Sequence, residues 1–373
     1  MYNSLMKLLI ATPLYPPDDG GPATYAKLLE TALPPKGIEV SVVSFSLFRQ
    51  AKKGISHFKF TKALFTAAST TDYILTLDPV SVGLPALVVS YLKRKPLILK
   101  MVGDYAWEQG TQRFGVKENL DEFVKKHDYP LAVRFLRFIE TKVAERAVQV
   151  IVPSEYLKGI VIAWGIPSEK ISVVYNAFNA DLPTASKEAL RKKFNYNHPV
   201  VISVGRMVPW KGFKVLMDAA APLLKEFSGL ALEIVGSGDR SEYEAYAKEK
   251  GYDFVKFSPN QSHDEILSRI KAADCFALNT GYEGLSHLLL EAMAVETPIV
   301  TTRVGGNTEL LTGDRGMLIS YNDTNELTRA IRATLTDSDK SQMMASRAAE
   351  YVQGFTQPRM LESLVSQLNS IHI

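Results

Sequence analysis

The sequence predicts an α/β protein with two doubly wound parallel sheets, and three features of the chain support this prediction. Its 373 residues exceed what one hydrophobic core usually organises, so two domains are expected. Short β-branched runs alternate with longer helical stretches from end to end, which is typical of parallel βαβ layers. Each half contains six such runs, enough for one complete sheet with a ligand edge at the C-terminal ends of its strands.

The predicted strands are short runs rich in Val, Ile and Leu that end in turn or polar residues. In the first half they lie near 7–12, 39–45, 73–77, 97–102, 148–153 and 172–175. In the second half they lie near 200–204, 231–235, 254–257, 275–279, 299–302 and 317–319. The two halves are therefore predicted to have matching sheets.

The predicted domain boundary lies in the polar stretch 176–199, which interrupts the pattern before a charged helix near 187–194. After Pro358 an apolar stripe at helical spacing predicts a last helix that is able to pack on either domain. The stripe comprises Met360, Leu361, Leu364, Val365, Leu368 and Ile371.

The composition is that of an ordinary globular protein, with 46% hydrophobic residues. The single cysteine, Cys275, lies in an apolar run, which excludes an intramolecular disulfide and fits a reducing cytoplasm. We expect no export signal, because the first apolar stretch is short and ends in a turn at Pro13. No run reaches the roughly 18 apolar residues needed to span a bilayer. A cytoplasmic location is therefore expected.

The positive charge is concentrated in residues 1–150, which carry 20 Lys and Arg against 14 Asp and Glu, whereas the whole chain carries a net +3. The excess collects in 48–65, where Arg49, Lys52, Lys53, Lys59 and Lys62 alternate with Phe48, Ile55, Phe58, Phe60 and Phe65. This segment fits an amphipathic surface drawn to anionic lipids, with the protein peripheral on the inner face of the membrane. It equally fits a helix with a solvated basic face and a core side. No nucleic acid partner is expected.

Two carboxylates, Glu283 and Glu291, stand eight positions apart across a loop that becomes a helix. Gly284 allows a tight turn, and the amides of Leu285 and Ser286 open the helix, where unpaired amides form an anion site. The helix is apolar on nearly every side, so Glu291 is expected to be buried with a partner. The spacing suits a nucleotide sugar, with its pyrophosphate between two hydroxyl-bearing ends. The alternative is a loop charge and a solvated helix residue.

A loop after the predicted strand 200–204 holds two cations. Gly205 is followed by Arg206, and Lys211 lies five positions further on. A guanidinium fork and an ammonium point charge together would neutralise a diphosphate and the charge that it gains on leaving. Surface loops with two cations are also common without such a role.

Three further glycine loops follow predicted strands, where glycine lets bare backbone or a helix N-terminus approach a ligand. Their glycines are Gly20 and Gly21, Gly236 and Gly238, and Gly305 and Gly306. Each loop alone is equally an ordinary βα turn. The absence of a complete glycine fingerprint followed by an acid about 20 positions later argues against a dinucleotide dehydrogenase.

The joint order of these loops resembles the retaining glycosyltransferases of family 4, which have the GT-B fold. The resemblance covers almost the whole chain, and the stretches 153–157 and 173–176 also look like the end of that family's first domain. It implies two Rossmann-like domains that face each other across a cleft. The acceptor-side domain would cover 1–178 and be joined by the last helix, 358–373. The donor nucleotide-sugar domain would cover 179–357.

The resemblance implies transfer of a glycosyl group from a UDP-, GDP- or ADP-linked sugar to a hydroxyl acceptor, with retention by front-side displacement. The acceptor would be a glycan, a polysaccharide precursor or a glycolipid, and the basic segment 48–65 is a hint of a lipid-linked one. Arg206 and Lys211 would hold the diphosphate, Glu283 the transferred sugar and Glu291 the ribose. The remaining donor contacts would come from Gly20, Gly21, Gly205, Gly236, Gly284, Leu285 and Ser286.

The chain departs from the family's pattern at two places. The family usually has a histidine after the fourth strand of the first domain, and Asp104 is our candidate for its replacement. A carboxylate there would accept a sugar hydroxyl or an acceptor proton, or it would be a helix N-cap. The pair Asn176-Ala177 stands where Asn-Gly is usual.

No metal or other cofactor is expected. The six histidines are scattered along the sequence. The sequence Asp337-Ser-Asp339 has the spacing of the carboxylate pair of metal-dependent transferases. It precedes a predicted helix, however, where a capping role fits better. The alternatives to a transferase are a catalytically silent nucleotide-sugar sensor and an epimerase or phosphorylase of the same fold. A sensor would tolerate losing some site residues, whereas here every expected position except the histidine is filled.

Overall fold

The computed structural model describes residues 6–18, 20–52, 54–178, 182–259 and 261–371. Its contacts divide the chain into two compact units. The first comprises Met1–Tyr175 and Met360–Ile373, and the second comprises Asn176–Arg359. These limits lie two to three residues from the expected ones at 178 and 358, and the start of the expected second domain, 179–181, falls outside the described residues.

Each unit contains one six-stranded sheet in which all paired neighbours are parallel. The strands of the first unit are β1 Met6–Thr12, β2 Ile38–Ser44, β3 Tyr73–Thr76, β4 Leu97–Lys100, β5 Gln149–Val152 and β6 Ile171–Val173. Those of the second are β7 Val200–Val204, β8 Ala231–Val235, β9 Val255–Ser258, β10 Cys275–Leu278, β11 Ile299–Thr302 and β12 Met317–Ile319. The twelve predicted strands are confirmed, each to within two residues at either end.

Helices connect the strands throughout both sheets. They are α1 Gly21–Ala32, α2 Ile55–Ala67, α3 Gly83–Lys93, α4 Tyr105–Arg113, α5 Leu120–Lys125, α6 Leu131–Arg146, α7 Glu155–Ala163, α8 Lys187–Phe194, α9 Phe213–Ala220, α10 Ser241–Lys250, α11 His263–Ala272, α12 His287–Ala294, α13 Asn307–Leu311, α14 Thr324–Thr336, α15 Ser338–Val352 and α16 Gln357–Asn369. None of the helices in the described part of the chain is both long and apolar enough to cross a membrane.

Each sheet has one point at which the chain changes direction. The strand order is β2-β1-β3-β4-β5-β6 in the first unit and β12-β11-β10-β7-β8-β9 in the second. The reversal therefore lies between β1 and β3 in the first sheet and between β7 and β10 in the second. At such a switch point the loops after two neighbouring strands leave in opposite directions and open a crevice, where ligands of this sheet type bind.

Successive side chains of β7 face opposite sides of the second sheet, and each side packs against a layer of helices. Val200, Ile202 and Val204 pack into one buried cluster with residues of α12. Val201 faces the opposite cluster, which contains residues of α9. Because a shift of one residue would exchange the two faces, the register is fixed, and so is the position at which the loop after β7 begins.

The segment 48–65 combines the two interpretations offered for it. Its helix, α2, begins at Ile55, after a 3₁₀ turn over Phe45–Phe48. Phe60 is fully buried and meets the Phe45 ring edge-on at 5.5 Å, whereas Phe58 is 71% exposed. The segment thus has a core side and an outer side that carries apolar as well as basic groups. Lys53 lies outside the described residues.

The last helix, α16, packs on the first unit rather than the second. The Ser172 hydroxyl at β6 donates to Oε1 of Gln367 at 2.6 Å. The Tyr73 hydroxyl on β3 donates to the Ile371 carbonyl at 3.0 Å. Two strands of the first sheet therefore hold the end of the described chain.

Candidate functional site

The switch point of the second unit brings together the two loops in which the sequence places its charged site residues. The loop after β7 carries Gly205, Arg206 and Lys211, and the loop after β10 carries Glu283. β7 and β10 are hydrogen-bonded neighbours. Two segments 72 positions apart in the sequence therefore start from adjacent strand ends.

The loop after β7 is locked to the end of β10. It ends in a 3₁₀ turn over Pro209–Lys211, and Gly212 follows with a left-handed φ of 53°. Nδ2 of Asn279 donates to the Gly212 carbonyl at 3.0 Å and to Oδ1 of Asn322 at 2.9 Å. A Cβ on Gly212 would lie 2.3 Å from that same nitrogen. The turn is therefore rigid, which fixes the start of the Lys211 side chain.

Lys211 and Glu283 form an ion pair across the switch point. The Nζ of Lys211 donates to Oε1 of Glu283, and the two side chains are only 10% and 15% exposed. In this partly desolvated place the charge-assisted hydrogen bond holds both groups in position. Arg206, on the same loop, is exposed. The structure thus brings Lys211 and Glu283 together and leaves Arg206 exposed.

Gly305 and Gly306 pack closely against the backbone of the loop after β10. The Gly306 amide donates to the Glu283 carbonyl at 3.1 Å. A Cβ on Gly305 would lie 1.9 Å from the Glu283 carbonyl oxygen, and one on Gly306 would lie 2.5 Å from that of Gly284. Only glycine permits this approach, so the N-terminus of α13 supports the loop that carries Glu283.

The helix after this loop begins two residues later than predicted. Ser286 is the N-cap of α12, and its hydroxyl accepts from the Leu289 amide at 3.4 Å. Leu285 is buried in the core cluster beneath the sheet. The prediction that the helix starts at Leu285 is therefore wrong, because Ser286 caps the helix and its first residue is His287. The amides of Leu285 and Ser286 belong to the loop and the cap.

Glu291 is buried, as expected, and its partner is His263. Nε2 of His263, at the first residue of α11, lies 2.8 Å from Oε1 of Glu291. The His263 side chain is half exposed, whereas that of Glu291 is 9% exposed. The hydrogen bond to Glu291 raises the pKa of His263. Sequence reasoning missed this contact, because two residues 28 positions apart on different helices leave no local signal.

The loops after β7 and β8 touch through two glycines. The Gly205 amide donates to the Val235 carbonyl at 3.0 Å. A Cβ on Gly236 would lie 1.8 Å from the Gly205 carbonyl oxygen. These glycines therefore allow two backbones to meet directly beside the loop that carries Arg206.

The sequence did not predict that Asn279 and Asn322 would hold the turn at Gly212.

The first unit presents a different edge at its own strand ends. Gly20, with φ of 142°, is the N-cap of α1, and Gly21 is its first residue. A Cβ on Gly21 would meet nothing within 4 Å. The backbone at Gly21 is therefore open rather than packed against its neighbours.

Asp104 takes the capping role that the sequence allowed. Its Oδ1 accepts from the Trp107 amide at 2.7 Å at the start of α4, and its side chain is fully buried. Oε2 of Glu140 on α6 accepts from the Ala106 amide at 3.2 Å, so two carboxyls share one helix N-terminus. Burial raises the pKa of Asp104 to about 6. Burial and the charge of Asp104 raise the pKa of Glu140 well above its ordinary range.

The Asp337-Ser-Asp339 sequence caps a helix, as expected. Oδ1 of Asp337 accepts from the Lys340 amide at 3.1 Å at the start of α15. Among the described residues, no group of three or more His, Cys, Asp or Glu side chains is placed to hold a metal ion.

Two family models match parts of this chain. Residues 186–351 match a model described as glycosyl transferases group 1. Residues 109–182 match a model described as glycosyltransferase family 4. The first match contains Gly205, Arg206, Lys211, Glu283 and Glu291, the residues built around the switch point of the second unit.

Curated relatives are similar over about half of the chain. A D-inositol 3-phosphate glycosyltransferase of Nocardia farcinica is 32% identical over 182 residues, which cover 46% of this chain and 40% of the relative. A lipopolysaccharide core biosynthesis glycosyltransferase of Rhizobium meliloti is 31% identical over 159 residues, which cover 42% and 45% of the two chains. The chain thus spans less than half the length of these relatives.

A solved structure is similar over the full length. The Anabaena HepE protein in complex with UDP-glucose superposes with a TM-score of 0.76 at 21% identity, covering 98% of this chain and 100% of that one. At this identity the likeness concerns the fold. The protein therefore has the GT-B fold, with two Rossmann-like α/β domains, as the sequence predicted.

Proposed function

We propose that this protein is a glycosyltransferase that moves a sugar from a nucleotide-sugar donor to a hydroxyl acceptor. The observation that carries the proposal is the Lys211–Glu283 pair at the switch point of the second unit. It lies within the stretch that matches the glycosyl transferase model. A cation and a carboxylate side by side suit a ligand that has a diphosphate next to a ring of hydroxyls.

In this proposal the donor diphosphate lies along the loop after β7. Lys211 meets its negative charge, and the exposed Arg206 adds a second cation. Because Asn279 already holds the turn after Lys211, the backbone that carries this ammonium needs little reorganisation as charge develops on the leaving group. Backbone atoms also contact the donor, at Gly205, Gly236, Gly284, Leu285 and Ser286.

The carboxylates of Glu283 and Glu291 bind opposite ends of the donor. Glu283 exchanges its partner Lys211 for hydroxyls of the transferred sugar as the diphosphate takes over the cation. Glu291 accepts hydroxyls of the ribose, with His263 at 2.8 Å holding its other oxygen in place. The base attached to that ribose is uracil, guanine or adenine, and the donor screen described below distinguishes these three.

We assign the reaction to the retaining class of family 4. The bond between the anomeric carbon and the diphosphate oxygen breaks, and a bond to the acceptor oxygen forms on the same face. The acceptor's proton passes to the leaving diphosphate, so no protein base is required. Analysis of the product's anomeric configuration by NMR tests this assignment, because an inverted product contradicts it.

The first unit is assigned to the acceptor, and Gly20 and Gly21 are assigned to donor binding. A role of Asp104 in transfer stays a prediction beside its capping role. We propose a lipid-linked acceptor, such as a polysaccharide precursor or glycolipid, and a place on the inner face of the membrane. The relative from Rhizobium meliloti acts, by its name, in lipopolysaccharide core synthesis, which supports this choice.

A donor screen tests the proposed function. The purified protein is heated with UDP-, GDP- and ADP-linked sugars, and the unfolding midpoint is compared with that of the free protein. One donor class should raise the midpoint, since a ligand that binds only the folded state stabilises it. Nucleotide release with that donor should be slow until an acceptor is added. Stabilisation by none of the donors contradicts the proposal, and binding without release for any acceptor indicates a sensor.

A further inference from the structure

The outer face of α3 is apolar where a helix on a globular protein is usually polar. Its exposed residues Leu84, Val88, Tyr91 and Leu92 are spaced as one stripe of a helix. Its opposite side, with Ala86 and Val89 among others, is buried in the core. A stripe of this kind covers the core in most helices and faces solvent only where something else is to cover it.

The adjacent helix, α6, carries a second stripe. Leu131, Phe135 and Phe138 follow one another at helical spacing, and Leu131 is 80% exposed. The guanidinium of Arg146 at the end of α6 lies 4.6 Å from the ring centroid of Tyr91 on α3. The two stripes therefore form one continuous surface, which we call the α3–α6 surface. Between the helices runs a groove of about 820 Å³.

The α2 helix extends this surface on the other side of α3. Ile55, Phe58 and Phe65 are its exposed apolar residues. Nζ of Lys93, at the end of α3, lies 3.8 Å from the Phe65 ring centroid and donates to the Ser69 hydroxyl. The outer side of the basic segment 48–65 is thus the margin of a larger apolar face.

Exposed apolar residues are concentrated in the first unit. Of the 21 large hydrophobic side chains exposed among the described residues, 16 belong to that unit and 10 of these lie on α2, α3 and α6. The two units are nearly equal in length, so the concentration does not follow from size. It marks one face of one unit.

The charges around the α3–α6 surface are mainly positive. Lys93, Arg94 and Lys95 close the end of α3, which has no acidic residue in its sequence. Arg134 stands on the exposed side of α6. The acidic Glu145 is matched by Lys142, whose Nζ lies 2.6 Å from its carboxylate. The apolar stripes are therefore bordered by a surplus of cations.

We propose that the α3–α6 surface docks on a bilayer that contains anionic lipids. Aromatic and aliphatic side chains would enter the interface, while Lys and Arg at the margin would meet the phosphates of the headgroups. A second copy of the chain fits less well, because a twofold contact would bring two copies of the same positively charged margin, with Arg94, Lys95 and Arg134, into one interface. The inference does not depend on the proposed glycosyl transfer, since it concerns binding in the absence of any donor.

Vesicle sedimentation tests the proposal with the full chain. Vesicles of phosphatidylglycerol and phosphatidylcholine in equal amounts should bind the protein at low salt, and vesicles of phosphatidylcholine alone should bind it much less. The double variant Leu92→Ser/Phe135→Ser should lose at least about tenfold in partitioning, because each side chain loses its apolar burial. Arg134→Glu should lose about fivefold or more, and added salt should produce a comparable loss.

A matched control comes from the second unit. Met343 on α15 is 57% exposed, and Met343→Ser should bind vesicles like the wild type. Unchanged unfolding midpoints should show that all variants are folded. The proposal is overturned if the double variant binds like the wild type, or if the wild type does not sediment with anionic vesicles. It is also overturned if the free protein is a dimer that the double variant converts to a monomer, since the surface is then a self-interface.

Discussion

The two units of this protein share one architecture but differ in what their strand ends carry. At the edge of the second unit, opposite charges meet: Lys211 pairs with Glu283. At the edge of the first, two like charges, Asp104 and Glu140, are buried at one helix N-terminus. Opposite charges near the surface are able to exchange partners with a ligand, whereas the two buried carboxyls accept hydrogen bonds from the start of one helix and have raised pKa values. The same kind of sheet thus carries an ion pair at the edge of one unit and a capped helix at the edge of the other.

The glycines proposed to contact the donor also differ between the two units. In the second unit, Gly236 and Gly305 allow backbones to meet. In the first unit, Gly21 is open. A glycine that enables a contact within the fold is needed for stability. An open glycine at the start of a helix has no such structural need and is free to serve a ligand.

The largest expected effect concerns the charged pair. Lys211→Ala and Glu283→Ala should each reduce turnover by about 10² or more, the scale of losing one preorganised contact to the reacting groups. The protein should stay folded, because Asn279 and Gly306 hold the two loops independently, but the unfolding midpoint should fall, because each variant leaves a largely buried charge without its partner. Steady-state nucleotide release measures the effect. Lys214→Ala removes a nearby exposed cation that pairs with Glu242 and should leave turnover intact. Near wild-type turnover in both site variants would show that the assignment is wrong.

A comparison of glycine variants sharpens the contrast between the edges. Gly236→Ala should lower the free energy of unfolding by about 2 kcal/mol or more, since the new Cβ would overlap a backbone carbonyl that cannot give way. Gly21→Ala should leave stability unchanged, because the new Cβ meets nothing, and weaken donor binding if Gly21 contacts the donor. Denaturant unfolding and donor titration measure the two quantities. A Gly236→Ala protein as stable as the wild type would contradict the packing argument.

Because the pKa of the Asp104 carboxyl is raised, we expect the free energy of unfolding to depend on pH. Its pKa of about 6 in the folded protein is raised from 3.8, so its contribution to stability is fully present below about pH 4 and is lost as pH rises through 6. Asp104→Asn keeps an acceptor for the Trp107 amide without the charge. It should therefore be more stable than the wild type at pH 8, by on the order of 3 kcal/mol, and equal at pH 4. Unfolding curves at both pH values check this.

Turnover of Asp104→Asn then separates its two roles. An unchanged rate assigns the residue to capping alone. A lower turnover rate without loss of stability supports a role of Asp104 in glycosyl transfer. Equal stability differences at pH 4 and pH 8 would contradict the linkage to this carboxyl.

The smallest expected effect concerns His263. Because its pKa is raised by Glu291, the imidazolium holds that carboxylate at low pH, and the charged hydrogen bond is lost as pH rises through the raised pKa. The donor KM should therefore increase by about fivefold with pH, while kcat stays constant. His263→Gln should have a KM that does not vary over this range. His57→Gln, an exposed histidine of α2 in the first unit, should keep the wild-type profile. Identical profiles for His263→Gln and wild type would remove His263 from donor binding.

The twelve strands, the loops that follow them and the glycines at their ends could be predicted from the sequence alone. Strand periodicity and turn chemistry are local, so a run such as Val200–Val204 followed by Gly205 is recognisable without its neighbours. The same holds for the capping aspartate Asp337. The resemblance of ordered motifs then assigned these loops to one kind of ligand.

Only the tertiary structure decided which side chains meet. The pairing of Glu291 with His263 and of Asp104 with Glu140 joins separate helices, and the Ser286 cap shortened α12 through the geometry of one hydroxyl. The apolar stripe of α3 has the composition of a core helix, and only the placement of its neighbours shows that one side is uncovered. Local pattern specifies which elements form. Contacts between residues distant in the sequence specify what each element faces, and thereby where charge, burial and exposure create a site.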